Sequence, residues 1–178
     1  MINQTKKWLD EVIIAHNICP FAKKERDSDK IRFFVDQSIE VEQALENLII
    51  ECQHLDNDAQ IETTLFIISR LCQDFNDYLY FLDLAKQLLH SMDYEGIYQL
   101  ASFHPDYCFA DSPADDAANY TNRSPYPMLH IIREQSLENA LLSYSNPELI
   151  PERNISYCRK LGVKKMQQML NDCIGQQP

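Results

Sequence analysis

Glycine is scarce in this chain. Gly96, Gly162 and Gly175 are the only three among 178 residues, and they lie far apart. P-loops and GxGxxG cradles need clustered glycines so that backbone can approach a phosphate, and neither is expected here. Basic residues are outnumbered too: 16 lysines and arginines face 27 acidic residues, a formal net charge of −11. That charge repels nucleic acid and anionic membrane surfaces. No run approaches the length of consecutive apolar residues that a membrane span requires. The first apolar run, WLDEVIIAH (8–16), is broken by Asp10 and Glu11 and lacks a small-residue cleavage site, so it does not read as a secretory signal. A cytoplasmic location is the resulting expectation. With it comes the expectation that Cys19, Cys52, Cys72, Cys108, Cys158 and Cys173 are reduced.

What is present is an ordinary globular composition, 45% hydrophobic and 10% aromatic, sized for a single domain over 1–178 with a core that needs no staples. Apolar spacing predicts a helix over 4–16, broken at Cys19 by Pro20. KIRFFV (30–35) reads as a strand, and Ser38 with Glu40 opens a helix carrying Val41, Leu45, Leu48 and Cys52 on one side. IETTLFIIS (61–69) has the β-branched, nearly continuous apolar character of a central strand. A helix capped by Asp74 runs to about 92. Strands follow at 96–104 and 127–134, then a helix over 137–144 capped by Ser136, and short helices near 152–160 and 163–173. The order predicts an α/β (α+β) sandwich around a mixed four-stranded sheet, with ferredoxin-like and thioredoxin-like arrangements both open. The first three strands can run parallel through right-handed crossovers. Arg153, Arg159, Lys160, Lys164 and Lys165 form a basic face near the C-terminus, read as a solvated helix surface or a partner patch.

The reactive side chains concentrate between the last two strands, in FHPDYCFADSPADDAANYTNRSPYPMLHIIRE (103–134). A connection of this length is usually functional or disordered. Five aromatic residues (Phe103, Tyr107, Phe109, Tyr120, Tyr126) and four prolines argue for an ordered loop that builds a site. This segment and the earlier Asn17-Ile18-Cys19-Pro20-Phe21-Ala22 resemble the bacterial domain-of-unknown-function family numbered 1415, through Phe103-His104-Pro105 and the run NYTNRSPYPMLH (119–130). The resemblance covers nearly the whole chain, and the long second motif makes it specific. It implies relatives and no particular reaction. CPFAKKER (19–26) is also similar to the CPFxxR stretch of omega-class glutathione transferases, but there the cysteine follows a strand and here it follows a helix.

Several chemistries are compatible with these residues. With Pro20 at the first position of a short helix, Cys19 would be its N-cap and its thiol acidified; the alternative is a buried cysteine packed as a small hydrophobe. His104, at a strand end before Pro105, is placed for a general acid/base, with Cys19 or Asp106 assisting. Arg123 offers a planar fork for a carboxylate or phosphate, and Asn119, Asn122 and His130 flank it as further ligand-binding candidates. Arg123 can instead neutralise Asp111, Asp115 or Asp116, with the amides capping turns. His16, Cys19, His104 and Cys108 have spacings compatible with a metal site, and a Cys-Pro haem contact rests on similar grounds. The expectation is an enzyme with a His/Cys/Arg pocket acting on a small anionic metabolite by acid/base chemistry. The alternative is a non-catalytic metal-, haem- or small-ligand-binding protein. The expected partner is a small-molecule ligand, with no nucleic acid or membrane partner; no cofactor and no oligomeric state are implied.

Overall fold

The computed structural model describes residues 1–175. Helix α1 (Ile2–Trp8) passes without a break into a π-helical stretch, Leu9–Ile14. The predicted helix is thus present but changes type midway, with i→i+5 bonds from Ala15 N–H to the Asp10 carbonyl and from Ile18 N–H to the Ile13 carbonyl. It buries Trp8, Leu9, Val12 and Ile13. The chain then turns through Asn17, left-handed at φ 53°, a conformation asparagine tolerates better than most residues. Helix α2 follows at Ala22–Asp27.

Strand β1 (Ile31–Asp36) leads into α3 (Val41–Asn57). Ser38 does not cap α3; its hydroxyl donates instead to Asp36, and Glu40, the second residue of the polar pair, is the N-cap. Strand β2 (Thr63–Ile68) is buried at every position, as its continuous apolar run predicts. Helix α4 (Phe75–Ser91) is capped by Asp74, whose carboxylate accepts from the Asn76 N–H. Strand β3 (Tyr98–Phe103) leads into the long connection, and β4 (Met128–Arg133) returns from it. Helix α5 (Glu134–Leu142) starts directly at the end of β4 with Arg133 as N-cap, so the predicted Ser136 cap lies inside the helix. Helices α6 (Ile150–Leu161) and α7 (Val163–Ile174) finish the described chain.

The sheet order is β1-β2-β4-β3. β1 and β2 pair in parallel through the α3 crossover, and β4 inserts antiparallel to both β2 and β3. The first three strands therefore point the same way, as predicted, but β3 meets β2 only through β4. Strand alternation gives each face its own core. Leu65, Ile67 and Met128 pack against Trp8, Leu9, Val12, Met166 and Leu170 from α1, the π-helical stretch and α7. Phe66, Ile68, Leu129 and Ile131 pack against Leu48, Cys52, Tyr78, Phe81 and Leu82 from α3 and α4. The result is a mixed four-stranded sheet between two helical layers. Among the described residues no helix is long and apolar enough to cross a membrane.

The second layer also holds a charge. Glu51 of α3 is 1% exposed and receives a bidentate fork from Arg32 of β1, at 2.6 and 3.0 Å. Removing the arginine strands the carboxylate in the core. Arg32→Ala is expected to lower unfolding stability by about 2–4 kcal/mol in urea titrations, moderated by the arginine's own partial exposure. Arg32→Met combined with Glu51→Leu should recover most of that loss.

Candidate functional site

The connection over residues 104–127 has little regular structure beyond a 3₁₀ turn at Ala117–Thr121, so side chains satisfy much of its backbone. Asn119 is fully buried; its Oδ1 accepts from the Phe109 N–H at 3.1 Å and its Nδ2 donates to the Pro113 carbonyl at 2.9 Å. Asn122 Nδ2 donates to the Ser102 carbonyl, tying the loop to the end of β3. Arg123 donates from Nε to the Tyr107 carbonyl at 3.1 Å and from Nη2 to the Ala114 carbonyl at 2.8 Å, with its guanidinium 4.6 Å from the centre of the Tyr120 ring. This differs from the expected pairing of Arg123 with a loop aspartate. The fork holds two loop carbonyls, and no loop aspartate is its partner. Asp116 caps the 3₁₀ turn through the Ala118 N–H and pairs with Arg159 of α6 at 2.6 Å. The Arg159 guanidinium, helped by the Ala118 N–H, holds its carboxyl well below the usual carboxylate range.

The two loop histidines have different surroundings. His104 is fully buried against Phe75 and Tyr78; one ring nitrogen lies 3.0 Å from the Cys72 carbonyl and the other accepts from the Asp106 N–H at 3.0 Å. Both nitrogens hold the fold together, and burial lowers its pKa. Asp106 itself is exposed. His130 stands on β4 with Nε2 2.6 Å from Thr63 Oγ1, and that hydroxyl donates to the Ile131 carbonyl at 2.5 Å. A hydroxyl has one proton, so Nε2–H must be the donor to Thr63, leaving Nδ1 as an acceptor. Desolvation pushes the His130 pKa down to about 4, so the ring is neutral at pH 7.

Cys19 lies in the turn between the π-helical stretch and α2. Because α2 starts at Ala22 with Phe21 as N-cap, Pro20 is not at its first position and Cys19 does not cap it. Burial pushes the thiol pKa up, only partly opposed by the N–H groups of Phe21 and Ala22. Of the two readings of Cys19, these surroundings match the buried cysteine rather than the acidified N-cap thiol. Helix α6 fixes this turn: Asn154 Nδ2 donates to the Ile18 carbonyl at 2.7 Å, and Arg153 donates to the Asn17 carbonyl. Two residues of the supposed basic face, Arg153 and Arg159, are thus engaged with the rest of the fold.

The two motif segments meet around a cavity of about 570 Å³. Ile13, Ile18 and Cys19 form one wall, Phe103, Phe109 and Asn122 a second, and Ile150, Asn154, Ile155 and Arg159 of α6 the third. A smaller cavity of about 160 Å³ lies between the sheet, α2 and α5, lined by Trp8, Phe21, Thr63, Phe103, His130 and Leu137 among others. Ile13, Cys19 and Phe103 border both cavities. The α6 wall is absent from any reading of the loop alone. Its available signal was Asn154 four residues before Cys158, on the stripe that faces the core.

Three of the four residues whose spacing is compatible with a metal site have other partners. His16 Nδ1 is 2.6 Å from the Tyr157 hydroxyl, His104 has both nitrogens engaged, and Cys108 Sγ donates to the Ser112 carbonyl at 3.3 Å. Among the described residues no three His, Cys, Asp or Glu side chains gather closely enough to hold a metal ion. All six cysteines are unpaired.

Two outcomes follow from these contacts. The unfolded chain binds a proton at His130 below its ordinary 6.5, but the folded chain only near 4. Stability should be intact above pH 6.5 and fall as pH drops towards about 4, by up to about 3 kcal/mol from this residue. His104 adds in the same direction. Chemical denaturation across pH 7.5 to 4.5 should show that slope, flatter in His130→Gln. Arg123→Lys loses the planar fork and should cost about 1–3 kcal/mol in thermal unfolding. An unchanged midpoint would contradict the loop-bracing role.

Comparison with known proteins leads to a family. Neither a curated protein nor a solved structure matches the chain. One family model does, over residues 1–168, described as a protein of unknown function (DUF1415). That match spans the Cys19 turn, the long connection and α6 together, and the chain belongs to the DUF1415 family.

Proposed function

We propose that this protein binds a small molecule with a largely apolar body and a hydrogen-bonding end, in the cavity between the Cys19 turn, the long connection and α6. The observation that carries the reading is the lining. Ile13, Ile18, Phe103, Phe109, Ile150 and Ile155 supply apolar surface, while Asn122, Asn154, Asp111 and Arg159 converge on the same space. A concave apolar site with a few placed polar groups is the usual form of a small-ligand pocket, and about 570 Å³ is within the usual size. Binding without catalysis fits the surroundings better than acid/base chemistry. His104, Asn119 and Arg123 are engaged in holding the loop, and Cys19 carries a thiol that burial keeps protonated.

The second reading is an enzyme acting on a small anionic metabolite. It is favoured by one observation: Cys19, Asn122 and the Arg159 guanidinium border the same cavity. In that reading Arg159, whose Nε and Nη2 are held by Asp116, offers Nη1 for the anion-holding role assigned to Arg123 from the sequence, and Cys19 remains the candidate reactive group.

A panel of small amphipathic molecules screened by thermal unfolding tests the site. A ligand at 100 times its dissociation constant stabilises by about 2.7 kcal/mol, which is several degrees for a chain of this size. Ile155→Trp should fill the cavity and abolish the shift while the variant stays folded by circular dichroism. An equal shift in the variant would place binding elsewhere. Turnover of a hit that is lost in Cys19→Ser, with binding retained, would favour the enzyme.

A further inference from the structure

We infer that the smaller cavity is a separate binding site for a small protonated organic amine, its ammonium held by Glu62 and His130. This cavity is lined by acceptors that no protein donor meets among the described residues. Glu62, just before β2, has a buried Oε1 with no hydrogen-bond partner among the described residues. Glu62 and His130 both line the cavity. Nε2–H of His130 is committed to Thr63, so Nδ1 is left as an acceptor with no protein partner among the described residues. The Glu62 carboxylate makes no hydrogen bond or ion pair among the described residues, and an N–H donor in the cavity would give it and His130 Nδ1 a partner.

The sign of the ligand's charge follows from what else faces the space. Glu25 is the other acidic residue on the lining, with Lys24 Nζ 3.8 Å from its carboxylate, so the unpaired charge is that of Glu62. Arg133 belongs to the same wall, but its guanidinium is turned to the opposite side of the sheet, where it donates to the Leu55 and Ile61 carbonyls and the Tyr98 hydroxyl. Lys24 and Lys30 line the adjoining outer cavity and not this one. A carboxylate ligand would therefore meet like charge, and an alcohol would leave the carboxylate uncompensated. An ammonium offers several N–H donors and the opposite charge, and the net charge of −11 favours its approach.

Size and body follow from the apolar walls. Trp8, Leu9, Phe21, Leu65, Phe103 and Leu137 surround a space of about 160 Å³. A dry apolar cavity of about 150 Å³ takes one benzene-sized molecule, so the body should hold about six carbons. Glu62, Glu25 and Ser136 border both this cavity and the outer one of about 360 Å³, so the charged end lies towards the side from which a ligand can enter.

The test uses cyclohexylamine, cyclohexanol and cyclohexanecarboxylate with the full chain at pH 7.5, read by isothermal titration calorimetry and by thermal unfolding. Cyclohexylamine should bind and raise the midpoint, the alcohol should bind at least about tenfold more weakly, and the carboxylate should not bind. Glu62→Gln keeps the shape of the side chain but removes the charge, and should weaken the amine by at least about tenfold with circular dichroism unchanged. Ile155→Trp fills only the larger cavity and should leave amine binding intact, so loss of the site proposed there does not bear on this one. No amine binding at millimolar concentration, equal binding of amine and alcohol, or an unaltered affinity in Glu62→Gln would each overturn the assignment. Comparing the three ligands on the wild type decides the matter even if Glu62→Gln fails to fold.

Discussion

The structure depends on satisfying backbone that has no ladder of its own. Between β3 and β4 the chain covers residues 104–127 across the ends of the sheet with one short 3₁₀ turn. Buried peptide groups in such a segment must find partners outside secondary structure. His104 binds a carbonyl and an N–H, Asn119 binds one of each, Asn122 reaches back to β3, and Arg123 holds two carbonyls. Histidine, asparagine and arginine are the side chains suited to both catalysis and this bracing. A loop rich in them therefore looks reactive whichever role they play.

That bracing is what makes the cavities possible. Because the loop is held at its own carbonyls, Phe109 can stand as a wall beside Phe103, the last residue of β3. Opposite them, the π-helical stretch and the left-handed Asn17 bring Cys19 under the loop, and α6 pins that turn through Asn154 and Arg153. The pair of Asp116 with Arg159 then joins α6 to the loop on the far side. Three segments distant in sequence enclose one space, and each holds another in place.

The fold was largely legible, and for a clear reason. IETTLFIIS and the stripe from Tyr78 to Leu89 report burial by their own periodicity, and both elements lie where that periodicity puts them. Element ends were less legible where a polar residue had a competing partner. Ser38 bonds Asp36 and leaves α3 to begin at Val41, and Arg133 rather than Ser136 precedes α5. The site was legible only as a region. Cys19 and Asn122 line one cavity, but His104 and Arg123 are committed to the loop, and the wall from α6 and the acceptor at Glu62 were not foreseen.

By itself, then, the sequence determined the four strands, the longer helices and their order, and the mixed sheet, and it marked the Cys19 turn and the long connection as the segments rich in reactive groups. Local burial patterns and turn chemistry act over a few residues and leave their mark within a short window. Tertiary structure alone decided the insertion of β4 between β2 and β3 and the partner of every polar side chain in the loop. Arg159 finds Asp116 from 43 positions away, and His130 finds Thr63 from 67. A hydrogen bond is satisfied by whichever group the packed chain brings within about 3 Å, and no local pattern encodes which group that is.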